Sequence, residues 1–264
     1  MAKPFVNPFV SGQFLELRVD ALVSDGRGLG RHDGVVVLVE DALPGQLVRA
    51  RVAAVRKSLA EAALVEVLER SPDEQEPPCP HAGRCGGCSW QSLAYDRQLA
   101  WKERIVHDAL ERVGKVACPP MLPILSSPSE WGYRNKMEFA FGMSGDCGKA
   151  LGLRERGSRN IVEVTGCLLQ TPLTMRVLEA VRMLSNGAFH DLDGRFLVVR
   201  EPSAGGCFVE LIVGAGGGLE AGERFAAALR TEIPEVTGFA LSERLAPSDV
   251  AYGERALYAD GRLE

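Results

Sequence analysis

Three thiols fall within ten residues in Cys79-Pro-His-Ala-Gly-Arg-Cys85-Gly-Gly-Cys88. The Gly86-Gly87 pair predicts a tightly folded backbone that lets both flanking sulfurs point at one centre. A soft thiolate cage of this kind suits zinc or an iron–sulfur cluster, and the local spacing does not decide between them. A fourth ligand must come from elsewhere, with Cys118, Cys147, Cys167 and His81 as candidates. The plainer alternative is a set of separate, reduced cysteines. Clustering within a short stretch favours metal binding over it.

A second group of residues could grip nucleic acid. Arg134-Asn135-Lys136 opens a predicted strand, and Arg154-Glu-Arg156 and Arg159 follow around a turn. Arg and Asn make forked hydrogen bonds to phosphates and base edges, and Lys supplies point charge. On residue type alone, a solvated hairpin surface explains these positions better. Arg27, Arg31, Arg49, Arg51, Arg56 and Lys57 could track a phosphate backbone nearer the N-terminus. Residues 1–70, however, balance 9 basic against 9 acidic residues. A third pattern, Phe208-Val-Glu-Leu-Ile-Val-Gly-Ala-Gly-Gly-Gly218, imitates the phosphate loop of a dinucleotide-type fold. We reject it, because no acidic residue ends a clear second strand and too few residues follow to build such a domain.

The elements that must position these groups fall into three segments. Residues 1–72 read as a barrel of oligonucleotide-binding type: short strands over 14–23, 35–39, 47–55 and 62–68 alternate with Gly/Pro turns. Val48, Ala50 and Val52 face one way and Arg49 and Arg51 the other. Residues 73–128 hold the cysteines and a helix over 95–113 whose expected apolar face is Leu99, Val106, Leu110 and Val113. Residues 129–264 alternate strands (134–142, 161–164, 196–200, 207–213, 236–241) with helices beginning near Thr171-Pro172 and Leu219. The expected class is therefore α+β, with the last segment built on a mostly antiparallel sheet.

Composition bounds the rest. The chain has 264 residues, 46% of them hydrophobic and 25% charged, which is ordinary for a globular protein. The N-terminal residues lack a signal-peptide pattern, and no apolar run reaches membrane-spanning length. The reading is a cytoplasmic monomer without membrane contact, whose seven cysteines are not a disulfide framework. Net charge is −5, but residues 201–264 carry 5 Lys/Arg against 11 Asp/Glu, while residues 1–200 carry 25 against 24. Any RNA contact must come from placed residues rather than a bulk positive field.

The thiol motif extends to Gln91 as Cys-x5-Cys-Gly-Gly-Cys-x-x-Gln. In that form it resembles the cluster motif of the RumA (RlmD) family of 23S rRNA uracil-5-methyltransferases. Residues 22–70 resemble that family's TRAM domain through Gly28-Leu-Gly-Arg-His-Asp-Gly34, Leu43-Pro-Gly45 and the Ser71-Pro72 exit. Tyr95–Lys102, Tyr133–Phe139, Leu151–Arg154 and Ile161–Cys167 resemble its later segments in the same order.

The resemblance implies a 4Fe–4S cluster held by Cys79, Cys85, Cys88 and Cys167, with Cys118 and Cys147 outside the ligand set. Such a cluster would pin the small iron–sulfur subdomain to the central sheet. The resemblance also implies that Arg134, Asn135, Lys136, Arg154 and Arg156, with Arg31 and Arg51 of the barrel, contact RNA. The RNA is 23S rRNA, with tRNA as the alternative. In the family a C-terminal domain performs the chemistry: a thiolate adds to C6 of an extruded uracil, and C5 takes a methyl group from S-adenosylmethionine. No residue here matches those parts, so none is assigned as catalytic or as binding S-adenosylmethionine. The chain is expected to lack that domain and to be inactive alone. Two other readings stay open: a self-standing RNA-binding iron–sulfur protein, and a structural zinc protein.

Overall fold

Leu15, Leu17 and Val19 alternate with exposed residues along β1 (Phe14–Leu22), and this period of two is what a half-buried strand requires. The same alternation buries Val48, Ala50 and Val52 on β4 (Leu47–Val55), and β3 (Val35–Glu40) turns Val35, Val37 and Val39 into the same core, with Leu38 buried as well. With β2 (Gly28–His32) and β5 (Leu59–Glu69) these strands close a barrel in the order β1-β2-β3-β5-β4. Only the β3–β5 pairing is parallel. Small inward residues, Ala50, Ala60 and Ala62, leave room for the valines to meet at the axis. The computed structural model describes residues 7–117, 119–145, 148–214, 217–247 and 249–261.

Strand β2 falls where the sequence reads as a glycine turn. Its glycines serve close approach: a Cβ at Gly28 would collide with Val19 and Ala42, and one at Gly30 with the backbone of Arg18. The turn itself covers 24–26, closed by Gly26 N–H on the Val23 carbonyl at 2.9 Å, with Gly26 at φ +94°, where L-residues are strained.

The chain divides into two compact units, Met1–Ala82 with Cys88–Pro128, and Gly83–Gly87 with Ser129–Glu264. In the first, α1 (Tyr95–Asp108) runs on into a π-helical turn, Ala109–Val113, closed by Gly114 N–H on the Ala109 carbonyl at 2.8 Å. Its packed face is not the expected stripe. Trp101 and Ile105 join Trp90 against Leu22, Leu43 and Leu93, while Val106 and Val113 are exposed. The indole N–H of Trp90 donates to the Gly26 carbonyl at 3.0 Å, fastening the segment after Cys88 to the β1–β2 turn.

The second unit is a seven-stranded sheet in the order β12-β11-β10-β9-β6-β7-β8. Its strands are β6 (Lys136–Met143), β7 (Lys149–Arg154), β8 (Ile161–Val162), β9 (Gly194–Arg200), β10 (Cys207–Val213), β11 (Val236–Glu243) and β12 (Arg255–Gly261). Only β10 and β11 run parallel, joined by α3 (Leu219–Glu232). With α2 (Pro172–Asn186), α3 packs on one face over Phe139, Leu197, Leu211 and Phe239. Phe225 of α3 stacks on Phe239 with ring centroids 5.5 Å apart. Strands β7 and β12 were not legible in the sequence. Gly152 stands within β7, where a side chain would strike the Val162 carbonyl. The edge strand β12 shows little alternation, and pairing with β11 holds it in place.

Candidate nucleic-acid interface and thiol group

The Cys167 loop is fixed at both ends. Val164, before it, is buried, and its carbonyl accepts from Arg182 Nη1 at 3.1 Å. The same guanidinium donates twice to the Leu151 carbonyl, at 3.0 and 2.8 Å, tying α2 to β7. After Cys167, the N–H of Gln170 returns to the Cys167 carbonyl at 3.1 Å, and Thr171 caps α2 by accepting the Thr174 N–H at 3.2 Å. The hydroxyls of Thr171 and Thr174 both donate to the Glu201 carboxylate. Gly132 N–H bonds the Leu168 carbonyl at 2.8 Å and Arg134 N–H the Leu169 carbonyl at 3.1 Å. The thiol loop and the start of the Arg-Asn-Lys strand are thus one backbone arrangement.

Within the same unit the Gly83–Gly87 segment docks on the end of β7. Gly86 N–H donates to the Arg154 carbonyl at 3.0 Å, and Arg156 N–H to the Arg84 carbonyl at 2.9 Å. Neither Gly86 nor Gly87 needs a positive φ. The requirement at Gly86 is space, since a Cβ would lie 3.3 Å from the Arg154 carbonyl oxygen. Gly87 N–H donates to Cys85 Sγ at 3.4 Å. Cys79 and Cys88 belong to the first unit.

Cys79, Cys85, Cys88 and Cys167 are all half-buried, and none of the four is in a disulfide. Cysteines in that state have the donor chemistry of an iron–sulfur cluster. Among the described residues, no group of three or more His, Cys, Asp or Glu side chains is gathered into a metal site. Cys118 and Cys147 lie outside the described residues. Cys207 is a different kind of cysteine. It is fully buried in the helix-covered core, and burial, with the nearby Glu201 and Glu235 carboxylates, pushes its thiol up to about 12.

Ion pairing sorts the candidate cations. On the barrel, Arg49 is braced between Glu16 and Glu66 at 2.8 Å each, Arg18 by Glu69, Arg27 by Asp25 and Arg56 by Glu61. Arg31 and Arg51 have no carboxylate partner among the described residues, and Arg51 stands opposite the exposed Phe14. In the second unit Arg134 likewise has none, whereas Lys136 meets Glu138 at 2.6 Å. Asn135 is exposed beside them. Arg154 donates to the Arg159 carbonyl at 2.6 Å and to Asp249 at 3.2 Å, and Arg159 reaches the same Asp249. Arg156 is half-buried at the Arg84 contact. Glu155 organises this turn by accepting from Ser158 and Asn160, which with Arg84 hold its carboxyl below the usual range.

The described part of the glycine-rich stretch after β10 is packed by protein. A Cβ at Gly214 would run into the Asp193 carboxylate, and one at Gly217 into Leu257 and Val213. These glycines admit close neighbours, and the Asp193 carboxylate beside Gly214 would repel a phosphate.

Residues 8–65 match the TRAM domain model. Over 97% of its length the chain is 44% identical to an uncharacterized RNA methyltransferase of Nitratidesulfovibrio vulgaris, covering 57% of that protein. Over 70% of its length it is 37% identical to the 23S rRNA (uracil(1939)-C(5))-methyltransferase RlmD of Acidithiobacillus ferrooxidans, covering 41% of it. Its fold is similar to that of the Pyrococcus abyssi tRNA (uracil-54, C5)-methyltransferase, solved in complex with S-adenosyl-L-homocysteine. The TM-score is 0.65 at 22% identity, over 93% of this chain and 55% of that one. The chain therefore spans about half the length of several of the proteins it matches. Among the described residues, no helix is long and apolar enough to cross a membrane.

Proposed function

We propose that this chain provides RNA recognition, and a 4Fe–4S cluster, to an S-adenosylmethionine-dependent RNA uracil-C5 methyltransferase acting on 23S rRNA. The observation that carries the reading is the 44% identity, along nearly the whole chain, to a protein named as an RNA methyltransferase. The closed barrel with its TRAM match, and the arginines on barrel and sheet without ion-pair partners among the described residues, support RNA as the ligand. Arg31 and Arg51 would take phosphates on the barrel. Arg134, Asn135, Lys136, Arg154 and Arg156 would do so on the sheet, with Arg and Asn also able to reach base edges. We assign none of these residues to methyl transfer.

Cys79, Cys85, Cys88 and Cys167 would hold the cluster. Bound there, it would supply a thiolate-anchored crosslink and one-electron redox capacity. What this chain contributes is the positioning of Cys167 by Arg182 and α2, and an N–H donor on Cys85 Sγ.

The sequence relationship to RlmD favours 23S rRNA. A tRNA substrate is the second reading, favoured by the shared fold with the Pyrococcus enzyme. Binding of the chain to a transcript of the matching 23S rRNA region and to unmodified tRNA, titrated at several salt concentrations, tests both. Tighter binding to the rRNA transcript is expected. Tighter binding to tRNA would move the assignment to the second substrate, and binding to neither would overturn RNA recognition.

A further inference from the structure

Helices α2 and α3 occupy one face of the seven-stranded sheet. The opposite face carries a small apolar cluster of Ala140, Phe196, Val198 and Ile212, over which Ala251 packs. Beyond that cluster, at the end of the sheet where Arg134 and Asn135 enter, one cross-strand row has an unusual composition. Lys136 on β6 stands opposite Arg200 on β9, Arg200 opposite Phe208 on β10, and Phe208 opposite Gly238 on β11. Glu201 N–H donates to the Asn135 carbonyl at 2.8 Å, which keeps this end of β9 beside the Arg-Asn-Lys strand.

Like charges directly opposite on a sheet repel, and Glu138 compensates only the Lys136 member of the Lys136–Arg200 pair. The nearby carboxylates are committed elsewhere. Glu138 takes Lys136, Glu210 accepts the Ser242 hydroxyl at 2.7 Å, and Glu201 accepts the two threonine hydroxyls of the α2 cap. Arg200 is exposed and has no ion-pair partner among the described residues. Its neighbour Phe208 lies between Cys207 and Val209, both buried in the helix-side core, so its half-buried ring is on the open face. Gly238, on the next strand, brings no side chain alongside it. Neighbouring strands are about 4.8 Å apart, so a guanidinium with no ion-pair partner among the described residues and an aromatic ring stand one strand apart on this face.

We propose that Arg200 and Phe208 form a nucleotide step for single-stranded RNA, with Arg200 on a phosphate and the Phe208 ring stacked on the adjoining base. Bases of a duplex are stacked internally and cannot reach such a ring, so the site selects unpaired nucleotides. This step rests on the RNA-recognition reading above and extends it to two residues that reading does not use.

The test is the affinity of the full 264-residue chain for a fluorescent oligouridylate of about ten nucleotides, and for an RNA duplex of similar length. Phe208→Leu keeps the apolar bulk and removes the π face. It should weaken oligouridylate binding about 10-fold with an unchanged salt dependence, and leave duplex binding as it was. Phe208→Tyr should bind like the parent. Arg200→Ala should lower the slope of log affinity against log salt by about 0.7. Thermal melts of each variant identify any loss of fold, and an unchanged salt slope in Arg200→Ala would overturn the step if the leucine variant unfolds. Parent-like affinity in Phe208→Leu, with Arg134→Ala still weakening binding, would overturn the stacking step and leave RNA recognition standing. Failure of the parent chain to bind either RNA would overturn both.

Discussion

Arg230 of α3 and Asp260 of β12 meet as a fork, with Nη1 2.6 Å from Oδ2 and Nη2 2.5 Å from Oδ1. The Arg230 Nε also donates to the Val236 carbonyl, and the Tyr258 hydroxyl donates to the same carboxylate at 2.6 Å. One guanidinium thereby joins the helix, the strand that follows it and the edge strand of the sheet.

That fork makes stability depend on acid. Hydrogen bonding from Arg230, aided by Tyr258 and opposed by burial, lowers the Asp260 carboxyl from 3.8 to about 2. A carboxylate lowered in the folded state stabilises above its unfolded pKa, and that contribution disappears as pH falls through the folded value. Unfolding measured from pH 6 down to pH 2 should show the loss between about 4 and about 2. Asp260→Asn should cost about 1 kcal/mol at neutral pH, after allowance for solvent screening, and flatten that part of the profile. An unaltered profile in the variant would remove the fork from the stability of the edge strand.

Substitution at the α2 cap should be costly for two reasons. Thr171→Ala removes the acceptor of the Thr174 N–H and one of the two hydroxyls held by Glu201. Urea denaturation should register a loss of about 1–2 kcal/mol. Glu201→Gln should cost less, since the amide oxygen still accepts from a threonine.

The cluster assignment separates two kinds of cysteine. Anaerobically purified chain should be brown, absorb broadly near ~400 nm and contain about four irons with matching sulfide. Cys167→Ser should lose most of the iron, and Cys207→Ser should keep it. One zinc and no colour would replace the cluster with a structural metal. Retention of iron in Cys167→Ser would reassign the fourth ligand.

Cys207 should also be chemically silent in the folded protein. With its thiol raised to about 12 and its side chain fully buried, the thiolate is scarce and inaccessible. Alkylation followed by peptide mass analysis at pH 8 should modify Cys207 only after denaturation. Labelling in the native state would indicate local opening of β10.

For RNA, Arg134→Ala and Arg51→Ala should each lower the salt slope of binding, by about 0.7 where a single-stranded phosphate contact is lost. Arg49→Ala is the control, because its guanidinium is already held by Glu16 and Glu66. An equal effect in all three would mean that general charge, not the unpaired guanidinium, governs binding.

Much of the scaffold was legible because it is written in local periodicity. The alternating residues of β1 and β4, the short apolar run of β3, the Thr171-Pro172 start of α2 and the strand at Cys207–Val213 all lie where their patterns predict. The misses share a physical cause. Gly28 and Gly30 look like turn residues in sequence, but they stand in a strand, and there as at Gly152 of β7 a distant backbone passes too close for a side chain. On α1, burial chose Trp101 and Ile105 over the better-spaced Leu99, Val106, Leu110 and Val113, because the surface offered by Leu22, Leu43 and Leu93 lies on that side.

The sequence by itself determined the chemistry on offer: three thiols in a glycine-bearing loop, a further cysteine after a short strand, and arginines on two separate scaffolds. It also determined the alternation that makes a barrel. Only the tertiary structure decided which arginines are neutralised, by bringing Glu16 and Glu66 to Arg49 and Asp249 to Arg154, while Arg51, Arg134 and Arg200 have no carboxylate partner among the described residues. Only the sheet's register set Arg200 beside Phe208. Residue type and spacing along the chain encode what each side chain can do. Its partners are set by strand pairing and helix packing between residues far apart in sequence, and no local pattern records those distances.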